Sequence, residues 1–127
     1  MKTPIHSPAA PAAIGPYSQA VAGGGLLFLS GQIPLDPASG EMVPGDIVAQ
    51  TERVMQNLGA VLGAAGCGFE DVLRTTIYVV DLAQYARVNE IYGRYFRAPY
   101  PARSTLQVAA LPRGAQVEVE AVALLRR

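Results

Sequence analysis

Two charged residues lie in segments that otherwise predict β-strands, and their side chains could bind and activate a small anionic substrate. Arg103 begins Arg103–Val108, and Glu120 lies inside Val117–Leu124. A guanidinium can bind a carboxylate through two parallel hydrogen bonds. A partly buried carboxylate can hold a water molecule and accept a proton from it. Together the two residues indicate a site for an anionic substrate, and Glu120 is expected to need Arg103 or a similar cation as its partner.

Other polar or glycine residues could line such a site, although each also has a structural interpretation. Ser30 and Gly31 end a predicted strand, where glycine either lets the backbone approach a ligand or forms a β-bulge or turn. The hydroxyl of Tyr17 could bind a ligand, or the ring could pack in the core with its hydroxyl in water. Asn89 could reach a site across a subunit boundary or be a solvated helix residue.

The composition predicts one domain over residues 1–127 that associates with copies of itself. Ten basic and ten acidic side chains give a formal net charge of zero, so no overall field attracts nucleic acid or an anionic membrane. Charged residues make up 16% of the chain, whereas about a quarter is typical. A small domain with so few charges is expected to hide part of its surface in a subunit interface.

The rare residue types argue against several other classes of site. Cys67 is the only cysteine, so an internal disulfide is impossible, and it is expected to be a small buried residue. His6 is the only histidine, so a metal site is not predicted. No glycine-rich nucleotide motif is present. The chain shows neither a signal peptide nor an apolar run that could cross a bilayer, so we expect a cytoplasmic protein.

Hydrophobic periodicity and turn signals predict a mixture of strands and helices. Strands are expected near Lys2–His6, at Tyr17–Ala22 and Leu26–Ser30 around a glycine turn, and at Val72–Val80, Arg103–Val108 and Val117–Leu124. Asp46 should cap a first helix that runs to Ala65. Asp81 should cap a second helix that ends before Pro99 and Pro101, with Leu82, Tyr85, Val88, Tyr92 and Tyr95 or Phe96 as its apolar stripe.

This order of elements predicts an α+β fold, one sheet with both helices on one face. The opposite face then has to meet another subunit or water. Strand alternation places Glu118 and Glu120 on one face with Val122 and Leu124. Glu118 is expected to be structural, pairing across the sheet.

Several segments together resemble the RidA family, also called the YjgF family, of reactive-intermediate deaminases. They run in family order and cover essentially the whole chain: Ala12–Ala20, Ser30–Pro34, Leu73–Val79, Val88–Tyr92, Tyr100–Ser104 and Val117–Ala121. The resemblance implies a chorismate-mutase-like α+β fold with a mixed sheet, and a homotrimer with its sites in the clefts between subunits. It also implies cofactor-free hydrolysis of 2-imino or 2-enamino acids, such as 2-iminobutanoate and 2-aminoacrylate, to 2-keto acids and ammonia.

The resemblance further implies roles for single residues. Arg103 matches the arginine that binds the substrate carboxylate, and Glu120 matches the acidic residue that positions the attacking water. Pocket-lining positions of the family are matched by Tyr17, Ser30, Gly31 and Asn89. Thr105 stands where many members have cysteine; it keeps a backbone N–H for the carboxylate but lacks the thiol, which the hydrolysis does not need.

The sequence leaves other functions open. One is a ligand-binding regulatory trimer that uses the same pocket without turnover, because fold alone does not settle function. Another is an endoribonuclease or translation inhibitor, against which the zero net charge and the single histidine argue. A third is a deaminase dedicated to one catabolic pathway. The presence of both Arg103 and Glu120 favours the imine deaminase.

Overall fold

The computed structural model describes residues 1–126, which form a sheet with two helices packed on one of its faces. The strands are β1 (Thr3–Ile5), β2 (Ala20–Gly23), β3 (Leu26–Gln32), β4 (Val72–Val79), β5 (Ala102–Gln107) and β6 (Val117–Leu124), and the helices are α1 (Ile47–Ala64) and α2 (Tyr85–Gly93). The sheet order is β1-β2-β3-β6-β4-β5, with β4 and β5 parallel and all other neighbours antiparallel. The predicted α+β fold with a mixed sheet is confirmed.

The core lies between the sheet and α1. Every second residue of β6, from Val117 to Ala123, is buried on the helix side, and the residues between them face the other way. The buried stripe of α1 follows the helical spacing and includes Ile47, Thr51, Val54, Leu58, Val61 and Leu62. Asp46 caps this helix as predicted, since its Oδ1 accepts hydrogen bonds from the N–H groups of Val48 and Ala49.

Strand β2 begins three residues later than predicted, at Ala20 rather than Tyr17. The reason is the buried side chain of Gln19. Its Oε1 accepts a hydrogen bond from the Ser7 N–H, and its Nε2 donates to the carbonyl oxygens of Ser7 and Pro11. These bonds tie the proline-rich arm to the sheet and keep Tyr17 in the preceding loop.

The second helix is shorter than predicted. Asp81 caps only a single 3₁₀ turn (Leu82–Gln84), and α2 then ends at Gly93, well before Pro99. Leu82 and Tyr85 are 45% and 37% exposed, so they do not belong to the buried stripe, which is Val88, Ile91 and Tyr92. The Leu82 N–H donates to the side chain of Gln107, which pulls this turn toward the edge of the sheet.

No element of residues 1–126 covers the sheet face opposite the helices, called here the outer face. Phe28, Leu106 and Leu124 lie on it and are 49%, 48% and 51% exposed. Half-exposed apolar side chains that share a face are typical of an interaction surface. Among residues 1–126, no helix combines the length and the apolar character needed to span a membrane.

Candidate functional site

Glu120 lies on the outer face, directly opposite a β-bulge that contains Ser30 and Gly31. Leu29 pairs with Ala121 and Gln32 pairs with Val119, so two residues of β3 stand opposite one residue of β6. A bulge of this kind bends its strand and redirects the side chains beside it. The Ser30 hydroxyl donates to the carbonyl oxygen of Ser18 at 2.6 Å, which holds the bulge against the loop before β2.

A cleft of about 630 Å³ opens beside this bulge, and we call it the glutamate cleft. Its lining includes Tyr17, Ser30, Gly31, Glu118 and Glu120. The ring of Tyr17 is 52% exposed, and its hydroxyl accepts a hydrogen bond from the Ile14 N–H at 3.2 Å. The structure thus brings four of the predicted site residues together in one cavity.

The two carboxyl groups of the glutamate cleft have different surroundings. Glu120 accepts a hydrogen bond from the Tyr78 hydroxyl at 3.1 Å. Glu118 stands directly opposite Tyr78 on the neighbouring strand, yet Tyr78 bonds Glu120 instead, so the expected structural pairing of Glu118 across the sheet is wrong. Burial, together with the nearby charge of Glu120, raises the pKa of the Glu118 carboxyl.

Arg103 belongs to a second cavity of about 530 Å³, the arginine cleft, which is lined by Asn89, Tyr92, Gly93, Tyr100, Pro101 and Arg103. The guanidinium donates to Asn89 Oδ1 at 2.7 Å and to the Tyr85 hydroxyl at 2.5 Å. It also lies 5.0 Å from the ring centroid of Tyr92, which is a cation–π distance. Asn89 is therefore a direct partner of Arg103 within the same chain.

Neutral groups hold Arg103 in place. None of the ion pairs formed within residues 1–126 involves it, so its positive charge is not neutralised by a carboxylate of that segment. Tyr92, beneath the guanidinium, is itself fixed by a hydrogen bond of 2.6 Å to Thr75, and burial raises the pKa of its hydroxyl. An oriented but unneutralised guanidinium is suited to binding an anionic ligand.

Arg103 and Glu120 point to opposite faces of the sheet. Arg103 pairs with Thr75, whose side chain is buried beneath α2, whereas Glu120 pairs with Thr76 on the outer face. Consecutive residues of a strand face opposite ways, so the two side chains cannot meet within one chain. The expectation that Arg103 partners Glu120 is therefore wrong for a single chain, and the predicted site is divided into two halves.

The remaining predicted residue, Thr105, lines neither cleft. It is half-buried on β5 beside Ile77, on the side of the sheet that carries the helices. Within residues 1–126 no group of three His, Cys, Asp or Glu side chains is arranged to hold a metal ion. His6 is exposed, and Cys67 is buried as expected.

Sequence reasoning missed Tyr78, and it gave Tyr92 and Glu118 only structural roles. A signal for Tyr78 was present, because alternation along β4 places it on the same face as Glu120. The contact between Tyr92 and Arg103 had no such signal, since it joins a helix to an edge strand through their tertiary packing.

The fold and the two clefts define a class of protein: a small α+β protein with one cleft lined by two glutamates and a second cleft that holds an oriented arginine. A model of the family described as endoribonuclease L-PSP matches residues 7–125. The chain therefore belongs to that family, and its resemblance to RidA is confirmed.

Named relatives and solved structures are similar to this chain over nearly its whole length. Protein DfrA of Myxococcus xanthus is 63% identical, over 94% of this chain and 93% of the relative. The 2-iminobutanoate/2-iminopropanoate deaminase of Mus musculus is 51% identical, over 94% of this chain and 89% of the mouse protein. The structure of RidA from an Antarctic Psychrobacter matches with a TM-score of 0.92 at 41% identity, over 97% of this chain and 99% of the RidA chain. The structure of E. coli TdcF with bound serine matches with a TM-score of 0.92 at 40% identity, over 98% of this chain and 99% of the TdcF chain.

Proposed function

We propose that this protein hydrolyses 2-imino acids to 2-keto acids and ammonia, in sites shared between the subunits of a homotrimer. The observation that carries the proposal is Arg103, which Asn89 and Tyr85 orient without neutralising its charge. A substrate carboxylate would supply the missing partner. The proposal is supported by relatives named 2-iminobutanoate/2-iminopropanoate deaminase, among them the mouse protein at 51% identity and the human protein at 47%.

The reaction needs little beyond orientation and one base. Arg103 binds the carboxylate and so fixes the imine carbon in position, which reduces the entropy cost of the attack. Glu120 takes a proton from a water molecule as it adds to the protonated imine, and a carbinolamine forms. The amine nitrogen then takes that proton and leaves as ammonia, and Glu120 accepts the hydroxyl proton of the carbinolamine as the carbonyl forms. The departing ammonia takes this proton from Glu120 and becomes ammonium, so the base is free for the next cycle. No electron transfer occurs, so we propose a reaction without a cofactor.

The sharing of sites between subunits follows from the opposite directions of Arg103 and Glu120. One substrate can touch both side chains only if the arginine cleft of one subunit lies against the glutamate cleft of the next. The half-exposed apolar residues of the outer face support an assembly that covers this face. A ring of three subunits would repeat the same contact three times. We propose the cytoplasm as its location, consistent with a single cysteine.

The other predicted residues receive supporting roles in this proposal. In the glutamate cleft, the backbone at Ser30 and Gly31 offers a carbonyl to the imine nitrogen, and Tyr17 turns its hydroxyl toward the substrate. Asn89 acts by orienting Arg103, not by contacting the substrate directly. Thr105 has the weakest support, because it lines neither cleft; its proposed contribution is a backbone N–H to the carboxylate.

Two other functions compete with the deaminase. The family description names an endoribonuclease, but the zero net charge gives no overall attraction to RNA, and neither cleft is lined by a histidine or lysine of residues 1–126. A binding trimer without turnover is the stronger competitor, because the similar E. coli TdcF was solved with bound serine. Binding without catalysis would need Arg103 but not Glu120.

The test is the disappearance of 2-iminobutanoate, generated from 2-aminobutyrate by an amino-acid oxidase and trapped at intervals with semicarbazide. We expect the wild type to accelerate hydrolysis, and Glu120→Gln to lose about a hundred-fold or more. Arg103→Ala should also lose the acceleration while keeping the trimer in analytical ultracentrifugation. Arg87→Ala is the matched control, because Arg87 is an exposed residue of α2 outside both clefts. Serine binding without imine hydrolysis by the wild type would identify the binding trimer instead.

A further inference from the structure

Glu118 is the second carboxyl group of the glutamate cleft, and the hydrolysis proposed above gives it no task. It is half-buried, and it lines the cavity together with Glu120. No hydrogen bond and no ion pair formed within residues 1–126 uses its carboxyl group. A half-buried carboxyl group that has no structural partner and faces a cavity is a candidate for chemistry.

The position of this carboxyl group depends on Gly31. A Cβ atom added at Gly31 would lie 2.0 Å from Glu118 Oε2 and 2.8 Å from its Cδ. Gly31 does not have a positive φ, so its conformation alone would accept another residue. Glycine is needed there because the Glu118 carboxyl lies against the backbone of the bulge, the same bulge that stands opposite Glu120.

The two glutamates have different surroundings. Glu120 accepts the hydrogen bond of Tyr78, whereas Glu118 has no hydrogen-bond partner within residues 1–126. Burial and the charge of Glu120 raise the pKa of Glu118, which favours its neutral form. Arg113 also lines the cleft, but its guanidinium donates to the carbonyl oxygen of Gly40 at 3.0 Å. Two carboxyl groups that share a cavity but differ in their partners can take the separate roles of acid and base.

We propose that Glu118 is a general acid through which the protein consumes the enamine tautomer of its substrate directly, by protonating carbon 3. This inference rests on the proposed imine hydrolysis. A 2-imino acid with hydrogen on carbon 3 interconverts with its 2-amino-2-alkenoate tautomer, and an elimination that removes the hydroxyl of a 2-amino-3-hydroxy acid releases the enamine first. Because water is a weak acid toward carbon, an acid positioned over carbon 3 speeds this step.

The protons and electrons balance over one cycle. Glu118 gives its proton to carbon 3, the carbon–carbon double bond supplies the electrons of the new C–H bond, and the nitrogen lone pair forms the C=N bond of the iminium. Water then adds to carbon 2 and loses a proton to Glu120. The nitrogen takes that proton and leaves as ammonia, while the hydroxyl proton of the carbinolamine returns to Glu118. Both glutamates regain their starting states, and the products are the 2-keto acid and ammonia.

The experiment compares two sources of the same four-carbon substrate. A threonine dehydratase releases 2-aminobut-2-enoate, the enamine, whose absorbance decay is followed directly. An amino-acid oxidase acting on 2-aminobutyrate releases the imine. We expect enamine decay to rise in proportion to added wild-type protein, beyond the spontaneous tautomerisation rate. If the protein accepts only the imine, the enamine cannot decay faster than it tautomerises, however much protein is added. A plateau at the tautomerisation rate would therefore overturn this inference. The imine assay would still support the proposed hydrolase in that case.

Substitution of Glu118 tests whether this residue is the general acid. Glu118→Gln should lower the ratio of the enamine rate to the imine rate by about tenfold or more, because the amide cannot donate an acidic proton. An equal fall of both rates, or no fall, would overturn the assignment to Glu118. Glu41→Gln, which changes an exposed glutamate outside both clefts, serves as the control and should leave both rates unchanged. Absence of imine hydrolysis by the wild type would instead refute the proposed function itself.

Discussion

The hydroxyl of Tyr78 donates a hydrogen bond to Glu120 Oε2 at 3.1 Å, reaching diagonally from β4 to β6 on the outer face of the sheet. Burial, the hydrogen bond to Glu120 and the charges of Glu120 and Glu118 raise the pKa of Tyr78. The hydroxyl therefore stays protonated and remains a donor at neutral pH. Tyr78 fixes the carboxylate that we propose as the base, although its ring lines neither cleft.

Replacing Tyr78 with Phe removes this donor while keeping the ring. A hydrogen bond of about 1 kcal/mol corresponds to a roughly fivefold lower kcat. KM should change little, because Arg103, the proposed carboxylate anchor, lies on the other face. Steady-state kinetics with 2-iminobutanoate measure both constants. Tyr95→Phe removes a tyrosine hydroxyl outside both clefts and is the matched control; an unchanged kcat in Tyr78→Phe would show that Glu120 needs no such support.

Mixed trimers test whether two subunits share each site. Arg103→Ala and Glu120→Gln chains should each be inactive alone, but unfolding them together and refolding the mixture should restore activity. In an equal, random mixture of the two chains, a site contains an intact Arg103 with a probability of one half and an intact Glu120 with a probability of one half. About a quarter of the wild-type activity is therefore expected. No recovery, in a mixture shown by ultracentrifugation to contain trimers, would place both residues of a site in one chain.

Gly31→Ala should impair activity more than stability. The added Cβ would overlap the Glu118 carboxyl, which is the far end of a flexible side chain and can swing away at low cost. We therefore expect a midpoint of thermal unfolding close to that of the wild type, together with lower deaminase activity. Adding Glu118→Ala to Gly31→Ala should cause little further loss, because the carboxyl group is already displaced. Additive losses would argue against this contact.

Tyr95 makes stability depend on pH in the alkaline range. Burial, then the hydrogen bond and charge of Glu52, raises its pKa to about 12. In the unfolded chain a tyrosine loses its proton near about pH 10, so between these values only the unfolded state ionises, and stability falls as pH rises. The stabilisation is complete below about pH 10 and is lost as the pH passes about 12.

The check for Tyr95 is urea unfolding at a series of pH values from neutral to strongly alkaline. The free energy of unfolding of Tyr95→Phe should fall less steeply with pH than that of the wild type. Part of the slope should remain, because the pKa values of Tyr78 and Tyr92 are also raised. Identical slopes in the two proteins would show that Tyr95 titrates alike in the folded and unfolded states.

Much of the fold follows from local sequence. The alternation in Val117–Leu124, the helical stripe after Asp46 and the glycine turn between β2 and β3 each predict their element almost to the residue. The errors lie where distant groups compete with local preference. Gln19 delays β2 by bonding to the arm, and Gln107 draws the turn before α2 toward the sheet edge, leaving Leu82 and Tyr85 exposed.

The sequence by itself singled out the residues that we propose for the chemistry, because an arginine and a glutamate within strand patterns are costly unless they have a partner or a function. Only the tertiary structure decided how they are arranged. Parallel pairing of β4 with β5 turns Arg103 toward α2, and antiparallel pairing of β4 with β6 turns Glu120 to the outer face. The bulge at Ser30 and Gly31 lies beside the two glutamates and lines the same cavity. Strand register sets the direction of every side chain, and register is a property of pairing between distant segments, which no single segment encodes.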